Sequence, residues 1–384
     1  MSVATAQRRY PALTDEAIED ACSLIGVPLR RRPHYRHATR DVLLRYAKAL
    51  GSRNPLYTEP DHAAFHTPWG TQLAHPTAIF LFDHTVVAPR MAGIHTIYGG
   101  VEIEWERQVR AGDRITADAK LTGVERREGG FCGEMALMTS EVRYANQRGE
   151  PVAVARPRIL RTPRDAARER GLYAGLERHR YEAAEIDRIM RAYEAEAVRG
   201  SRARFLEDLE IGEALPEIVK GPLTTEDMNF FVGEVAETLF FRDFVAHMRR
   251  HPADAYWHPQ RNFPDSWDAS LLMDDVAREF GFPCAHDTGL QRIAWLECLT
   301  TNWMGDVAML RRLDVRLHRP FLHADTAWLR GQVTGTRIER RRALARLSLA
   351  CVNQREEVVA SGTADVELPS RDFDVLQPGL AEEA

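Results

Sequence analysis

The stretch Val-Glu-Ile-Glu-Trp at residues 101–105 recurs as Leu-Asp-Val-Arg-Leu at residues 313–317, and this repeat decides the fold. The two copies are 212 residues apart, and so are Asp113 and Asp325, which follow them in short turns. Further matches extend in both directions at offsets between 207 and 212 residues. This period is far longer than the roughly 20 to 50 residues of solenoid and propeller repeats. The chain is therefore predicted to hold a duplicated domain.

The composition is that of a globular protein with about two to three domains. The 384 residues are 44% hydrophobic, and the net charge of −5 argues against nucleic acid or an anionic membrane as the main partner. The five cysteines are scattered without a CxxC pair, which is typical of a reducing compartment. No apolar run reaches membrane-spanning length, and the N-terminus lacks the hydrophobic region of a secretory signal. We expect a cytoplasmic protein.

Both copies show the same order of predicted elements. A short helix begins after Thr39 in the first copy and at Thr225 in the second. A longer stretch, apolar nearly all round, follows at residues 73–89 and at residues 290–303, and this pattern predicts a buried helix in each copy. Four strand-like segments then follow in each copy, separated by turn signals. They are residues 96–108, 114–125, 133–146 and 151–162, and then residues 310–319, 326–336, 344–353 and 357–366.

This order predicts an α+β fold of two tandem hot dogs, each an antiparallel sheet wrapped around a long buried helix. Joining the two sheets edge to edge would remove two exposed edges. The predicted division is an N-terminal extension 1–38, a first domain 39–165, a helical linker 166–203, a second domain 204–368 with an inserted loop 240–270, and a tail 369–384.

Ser-Arg-Asn-Pro-Leu-Tyr-Thr-Glu at residues 52–59 resembles the hydration motif of MaoC-like dehydratases and (R)-specific enoyl-CoA hydratases, which runs Asp-x-Asn-Pro-x-His-x-Asp. Four more segments resemble parts of the family: residues 112–115, 207–213, 220–224 and 286–306. The resemblance implies a double hot dog and an acyl-thioester substrate, carried on CoA or on a carrier protein. It also implies addition or removal of water at C2–C3, without a cofactor or metal.

The chain departs from the motif in both copies. The resemblance implies that the motif Asp and His move protons, a task that suits a carboxylate–imidazole pair. The first copy has Ser52 and Tyr57 at these positions, and the resemblance implies that such a half forms the acyl tunnel. The second copy is expected to be catalytic, yet residues 265–274 place a leucine where the histidine should fall.

The acid–base groups of the second copy are therefore expected at other positions. His286 and Asp287 lie at the predicted start of its buried helix, where the resemblance implies that backbone N–H groups polarise the thioester carbonyl. The alternative is that Asp287 caps the helix and His286 is a satisfied buried histidine. Three loop residues are the other catalytic candidates, with solvated loop positions as the alternative: Asp265, Asp268 and His258. Five residues are predicted to contact the substrate: Tyr57, His75, Asn262, Gly289 and Trp295.

The first functional hypothesis is a dehydratase or hydratase acting on a 2-enoyl or 3-hydroxyacyl thioester. The second is a protein without the proton-moving pair, serving as an acyl-binding subunit, a cyclase or an isomerase, with a thioesterase as a third option on this fold. The expected partners are an acyl-CoA or acyl-carrier-protein substrate and a second copy of the chain in a homodimer. No metal is expected, because residues 62–66 have the His-x-x-x-His spacing without the glutamate of a zinc motif.

Overall fold

The computed structural model describes residues 10–235, 241–258 and 262–373. Within these residues ten strands form one antiparallel sheet, and two short strands form a separate hairpin. The first half contributes β1 Pro28–Leu29, β2 His95–Trp105, β3 Thr116–Gly129, β4 Gly133–Ala145 and β5 Pro151–Thr162. The second half contributes β6 Ile218–Lys220, the hairpin β7 Ala255–Trp257 and β8 Pro264–Ser266, and β9 Met309–Leu317, β10 Ala327–Glu339, β11 Arg342–Asn353 and β12 Val358–Leu368.

Ten α-helices lie in the described ranges, and none of them is long and apolar enough to cross a membrane. They are α1 Asp15–Cys22, α2 Arg40–Ala49, α3 Pro55–Thr58, α4 Pro60–Phe65, α5 Arg164–Arg170, α6 Ala183–Glu194, α7 Thr225–Val235, α8 Phe241–Arg250, α9 Asp274–Glu279 and α10 Leu290–Met304. Every residue of α10 is buried, and this helix contacts the four long strands of the second half.

The strand order is symmetric about the middle of the sheet. It runs β1-β3-β4-β5-β2 through the first half and β9-β12-β11-β10-β6 through the second. Each half therefore repeats one topology, and the second half wraps its strands around α10. The predicted α+β fold is confirmed in these respects. The predicted extension 1–38 contributes β1 to the sheet edge, and residues 1–9, 236–240, 259–261 and 374–384 lie outside the described residues.

The seam between the halves is the antiparallel pairing of β2 with β9. Glu102 faces Asp314 across it, and these two residues are also counterparts in the sequence repeat. Because each residue faces its own counterpart, a pseudo-two-fold axis passes between them. Val101 faces Val315 beside them, and both side chains are buried. The predicted edge-to-edge joining of two sheets is confirmed.

Three arginines neutralise the two carboxylates that meet at the seam. Arg312 donates to Glu102 at 2.8 Å, Arg156 donates to Glu102 at 3.0 Å, and Arg158 donates to Asp314. Like charges directly opposite each other on neighbouring strands destabilise a sheet. The arginines therefore turn a repulsive pair into a network that joins the halves.

A long buried helix predicted over residues 73–89 is wrong. The structure has the short 3₁₀ helix Pro76–Leu81 followed by an irregular segment. Asp83 explains the break, because its carboxylate accepts the N–H of Thr85 at 2.7 Å and its carbonyl accepts the Tyr144 hydroxyl at 2.8 Å. Thr85 has a φ of 61°, which a right-handed helix cannot contain. Burial of the 3₁₀ helix on all sides produces the same apolar pattern as a long helix.

The two short helices begin much as predicted. Thr39 caps α2 by accepting the N–H of Val42 at 3.3 Å. In the second half the cap of α7 is Thr224 instead of Thr225, since its hydroxyl accepts the N–H of Asp227 at 3.1 Å. The Asp227 carboxylate accepts the N–H of Thr224 in return, also at 3.1 Å. This reciprocal capping fixes the helix start one residue before the predicted position.

Gly100 permits the close approach of the strands at the seam. Its φ is 139°, and a Cβ added there would lie 2.2 Å from the carbonyl oxygen of Val315. We expect Gly100→Ala to lower the free energy of unfolding by about 2–4 kcal/mol, because the seam must shift to admit a methyl group. Chemical denaturation measures this loss.

The matched control for that substitution is Gly335→Ala in β10, where an added Cβ meets nothing within 4 Å. It should change the free energy of unfolding by less than about 0.5 kcal/mol. Equal losses in the two variants would show that the seam imposes no special constraint at Gly100.

Candidate functional site

The turn that carries Asp268 is built like a turn in the first half. Ser266 caps the 3₁₀ helix Trp267–Leu271 by accepting the N–H of Asp268 at 3.2 Å. Asn54 caps α3 in the same way, through the N–H of Leu56 at 3.1 Å. The two caps are 212 residues apart, which is the offset of the sequence repeat. Ser266 is therefore the counterpart of the motif asparagine.

This alignment corrects the expected register of the motif in the second half. The motif acid lies two residues before its asparagine, and the motif histidine lies three residues after it. Pro264 and Ala269 occupy these positions in the second half, where a leucine had been predicted for the histidine. In the first half they are Ser52 and Tyr57. Neither half carries the acid and histidine of the motif at these positions.

A cavity of about 350 Å³ lies beside the Asp268 turn and is lined from both halves. Residues 95–99 at the start of β2 form part of its wall, and His84 and Val86 line it from the irregular segment after the first-half 3₁₀ helix. Residues 286–290 line it at the start of α10. Several apolar side chains complete the lining, among them Phe131, Met135, Leu160, Tyr173 and Phe282. Because the first-half helix ends early, the irregular segment that follows it forms part of the cavity wall.

Asp268 is a cavity-lining carboxyl with a raised pKa. Burial is the main cause and raises its pKa to about 6. A hydrogen bond from the Ser266 hydroxyl at 3.3 Å and the nearby His247 act in the opposite direction, and Asp265 raises the pKa slightly further. Asp268 therefore exchanges a proton close to neutral pH, as an acid–base group must.

His286 is buried and presents an unpaired ring nitrogen. Its Nδ1 lies 2.8 Å from the backbone carbonyl oxygen of Asp287, so Nδ1 carries the proton and donates it there. Within the described residues Nε2 has no hydrogen-bond partner. Burial lowers the pKa of His286, because a charged imidazole would lose its hydration. The ring is thus neutral at neutral pH, with Nε2 able to accept a proton.

Asp287 lines the same cavity but is held by an ion pair. Arg292 donates to its two carboxylate oxygens at 2.7 and 3.0 Å, and a third guanidinium nitrogen donates to the carbonyls of Arg319 and Val359. Asp287 does not cap the helix, since the N-cap residue of α10 is Gly289 and no side chain bonds there. The alternative in which Asp287 caps the helix is therefore wrong, because its carboxylate accepts hydrogen bonds from Arg292.

Gly289 brings the N-terminus of α10 to the cavity. Its φ is 79°, and a Cβ added there would lie 2.4 Å from a methyl group of Leu317, so only glycine fits. The first backbone N–H groups of a helix have no partner within it and carry partial positive charge. Gly289 and Leu290 line the cavity, so the N–H groups at the start of α10 lie beside the space that a substrate oxygen could occupy.

The other predicted residues do not line this cavity. His258 and Asp265 form a pair, with Nε2 3.2 Å from the carboxylate, at the β7–β8 hairpin. Asn262 is exposed at the end of that hairpin. Trp295 is buried in α10 with its ring edge-on to Phe321, 5.8 Å between centroids.

Tyr57 and His75 belong to a second buried cluster. Their rings lie 3.9 Å apart, and His75 Nδ1 lies 3.1 Å from a carboxylate oxygen of Glu297 in α10. Glu297 was not predicted to have any role, because a single glutamate in an apolar helix has no motif around it.

Sequence reasoning also missed cavity residues from the first half, among them His84, His95 and Tyr98. Burial lowers the pKa of His95 well below its usual value, with further lowering by the charges of Arg164, His286 and Arg161. These residues occur in no recognisable motif. Only the pairing of the halves brings them to Asp268 and His286.

The fold and the cavity between the halves define the class of double hot-dog proteins. Residues 23–155 match a family model described as the FAS1-like dehydratase domain region. A 93-residue stretch is 29% identical to a UPF0336 protein of Streptomyces avermitilis. That match covers 22% of this chain and 61% of the relative, so the chain spans less than two thirds of the relative's length.

Three solved structures share the fold over nearly the whole chain. A MaoC-like dehydratase is 14% identical, with a TM-score of 0.63 over 92% of this chain and 100% of its own. A MaoC domain protein dehydratase from Chloroflexus aurantiacus is 15% identical, with a TM-score of 0.58 over 90% and 96%. A Mycobacterium tuberculosis protein described as a double hotdog fold is 11% identical, with a TM-score of 0.50 over 92% and 98%. The resemblance to the MaoC-like dehydratases is confirmed, by the family model in the first half and by the fold throughout.

The raised pKa of Asp268 predicts a pH-dependent stability. Its folded-state pKa of about 6 exceeds the ordinary value of about 3.9 expected in the unfolded chain. The folded state therefore holds the extra proton between these values, and this group's contribution falls as the pH rises through that window. Between pH 4 and pH 7 this group should lower the free energy of unfolding of the wild type by about 1–3 kcal/mol, and Asp268→Asn should abolish that decrease. Denaturant unfolding at both pH values measures it.

Asp187→Asn is the control, since Asp187 is exposed on α6. Its free energy of unfolding should change between the two pH values as much as that of the wild type. If Asp268→Asn showed the same change as the wild type, a raised pKa for Asp268 would be contradicted.

Proposed function

We propose that the chain is a hydro-lyase that adds water to a 2-enoyl thioester, or removes it from a 3-hydroxyacyl thioester. The proposal rests on two candidate acid–base groups that line one cavity. They are the Asp268 carboxyl and Nε2 of His286, which has no hydrogen-bond partner within the described residues. Burial raises the pKa of Asp268 and lowers that of His286, so the carboxyl group can hold a proton while the imidazole is neutral. The apolar lining and the first N–H groups of α10 beside them suit an acyl chain and a thioester carbonyl.

The reaction uses each group once in the hydration direction. The carbonyl oxygen binds the N–H groups at Gly289 and Leu290, which stabilise the enolate. His286 Nε2 takes a proton from water as the oxygen forms a bond to C3. Asp268 gives its proton to C2, which gains the electron pair of the broken C2–C3 π bond. The proton on His286 then replaces the one lost by Asp268, by way of solvent, and dehydration reverses these steps.

The thioester is proposed to be carried on CoA or on an acyl-carrier protein, and the protein is proposed to act in the cytoplasm. All five cysteines are free thiols, which agrees with a reducing compartment. The homodimer expected from the sequence stays a prediction.

A second candidate follows from the missing motif pair. Ser52 and Tyr57 in the first half, and Pro264 and Ala269 in the second, leave the family's acid–histidine pair absent from its usual positions. This observation favours an acyl-binding subunit, or a cyclase or isomerase, that uses the cavity without moving water.

The decisive experiment is a hydration assay on a panel of 2-enoyl-CoA substrates of different chain lengths. We expect Asp268→Asn and His286→Gln each to lower kcat/KM by about a hundredfold to ten-thousandfold, because each removes an acid–base group. His179→Gln is the matched control, since this linker histidine also lies beside a carboxylate, that of Glu185, at 3.0 Å. It should retain wild-type turnover.

Two other outcomes would redirect the assignment. A comparable loss in His258→Gln, with Asp268→Asn active, would transfer the chemistry to the His258–Asp265 pair. Acyl-CoA binding by calorimetry without turnover of any substrate would contradict the hydro-lyase and support the second candidate.

The pH profile of kcat/KM should fall as the pH rises through about 6. Asp268 must be protonated, and it loses this proton as the pH rises through about 6. His286 must be neutral, and its lowered pKa keeps it so below the ordinary value of about 6.5. Initial rates at low substrate concentration measure the profile. If the residual activity of Asp268→Asn still fell in the same way as the pH rose through about 6, the fall would belong to another group.

A further inference from the structure

A second buried cluster on α10, whose residues do not line the cavity, contains three metal-ligating residue types. An imidazole nitrogen of His75, a carboxylate oxygen of Glu297 and the sulfur of Cys298 lie within 4.8 Å of one another. All three side chains are buried, with His75 2%, Glu297 0% and Cys298 1% exposed. His75 comes from the first half, and Glu297 and Cys298 are consecutive residues of α10. The cluster therefore joins the two halves away from the cavity-lining residues.

Two polar atoms around this cluster have no partner within the described residues. They are Nε2 of His75 and the hydroxyl oxygen of Tyr57. Tyr57 is 1% exposed and lies close enough to Glu297 and Cys298 for their charges, after burial itself, to raise its pKa. Unpaired polar atoms are costly in a protein interior, so several of them around one point indicate a ligand there.

The charge of Glu297 also calls for a cation. Its hydrogen-bond partners in the described part of the chain are His75 and the hydroxyl of Thr77, the latter at 2.8 Å. The nearby Lys220 directs its ammonium group to the carbonyl of Gly51 at 2.7 Å. A buried carboxylate needs a compensating charge at close range, because its desolvation costs several kcal/mol or more.

We propose that His75, Glu297 and Cys298 bind a divalent transition-metal ion of the zinc class. Nitrogen, oxygen and sulfur ligands of these residue types are the ones that zinc takes in proteins. This site is independent of the proposed reaction, which uses other residues. It contradicts the expectation of no metal, which rested on the lack of a ligand motif in the sequence.

Metal binding changes two protons. The ion would bind one ring nitrogen of His75, and the imidazole proton would be on the other ring nitrogen. The Cys298 S–H bond breaks and its proton leaves for solvent, although burial and Glu297 hold the pKa of the free thiol well above its usual value. One thiolate, one carboxylate and a neutral imidazole then balance the two charges of the ion. Affinity should therefore rise with pH.

Titration of the metal-free wild-type protein with cobalt(II) tests the site directly. We expect about one equivalent to bind with the charge-transfer absorption of a cobalt–thiolate bond and the strong visible bands of tetrahedral coordination. Zinc should displace the cobalt and raise the melting temperature. Metal analysis of the protein as purified should give a matching content.

Three variants assign the ligands. Cys298→Ser should remove the thiolate absorption, and His75→Gln should remove both binding and the zinc-dependent rise in melting temperature. Cys351→Ser is the matched control, because Cys351 is equally buried but lies in β11. It should bind cobalt like the wild type.

The wild-type titration needs no variant to fold. Failure of cobalt to give a thiolate band, or an unchanged band in Cys298→Ser, would overturn the proposal. Loss of hydration activity has no bearing on it, so the two proposals fail separately.

Discussion

The pairing of β2 with β9 is the contact on which the other features of this molecule depend. It joins two half-sheets that would each otherwise end in a row of unpaired N–H and C=O groups. It also requires Glu102 and Asp314 to face each other, which three arginines make tolerable. Because the seam fixes one half against the other, it determines which side chains of the first half reach the cavity of the second. The start of β2, which supplies His95 and Tyr98 to that cavity, continues into the seam itself.

The two halves have kept one topology and diverged in their helices. Only the second half retains a long central helix, and α10 is buried on every side by strands and by the first-half 3₁₀ helix. In the first half the 3₁₀ helix ends at Leu81. Just after it, the Asp83 carboxylate accepts the N–H of Thr85, and the Asp83 carbonyl accepts the hydroxyl of Tyr144. The cavity is lined both by the irregular segment after the broken helix and by the start of α10. His75, which directly precedes the broken helix, contacts Glu297 within α10.

Two carboxyl groups in the same cavity illustrate how surroundings decide a residue's role. Two nitrogens of the Arg292 guanidinium donate to the two carboxylate oxygens of Asp287 in a bidentate ion pair. Asp268 has a hydroxyl partner in Ser266 instead, and burial raises its pKa to about 6. The same residue type is therefore fixed by an ion pair at position 287 and is a candidate acid–base group at position 268. His286, between them along the chain, is kept neutral by burial.

The sequence by itself determined the duplication, the strands and the short helices, because these depend on periodicity and caps within a few residues, as at Thr39. It also singled out Asp268, His286 and Gly289, which line the cavity, since loops and helix starts have local signals. It could not separate a long helix from a 3₁₀ turn at residues 73–89, because both bury every face. It placed Tyr57 and His75 with the substrate, whereas the structure puts them beside Glu297, 222 residues from His75 along the chain. Only the tertiary structure decided which side chains meet, because the seam and α10 bring together residues that no local pattern connects.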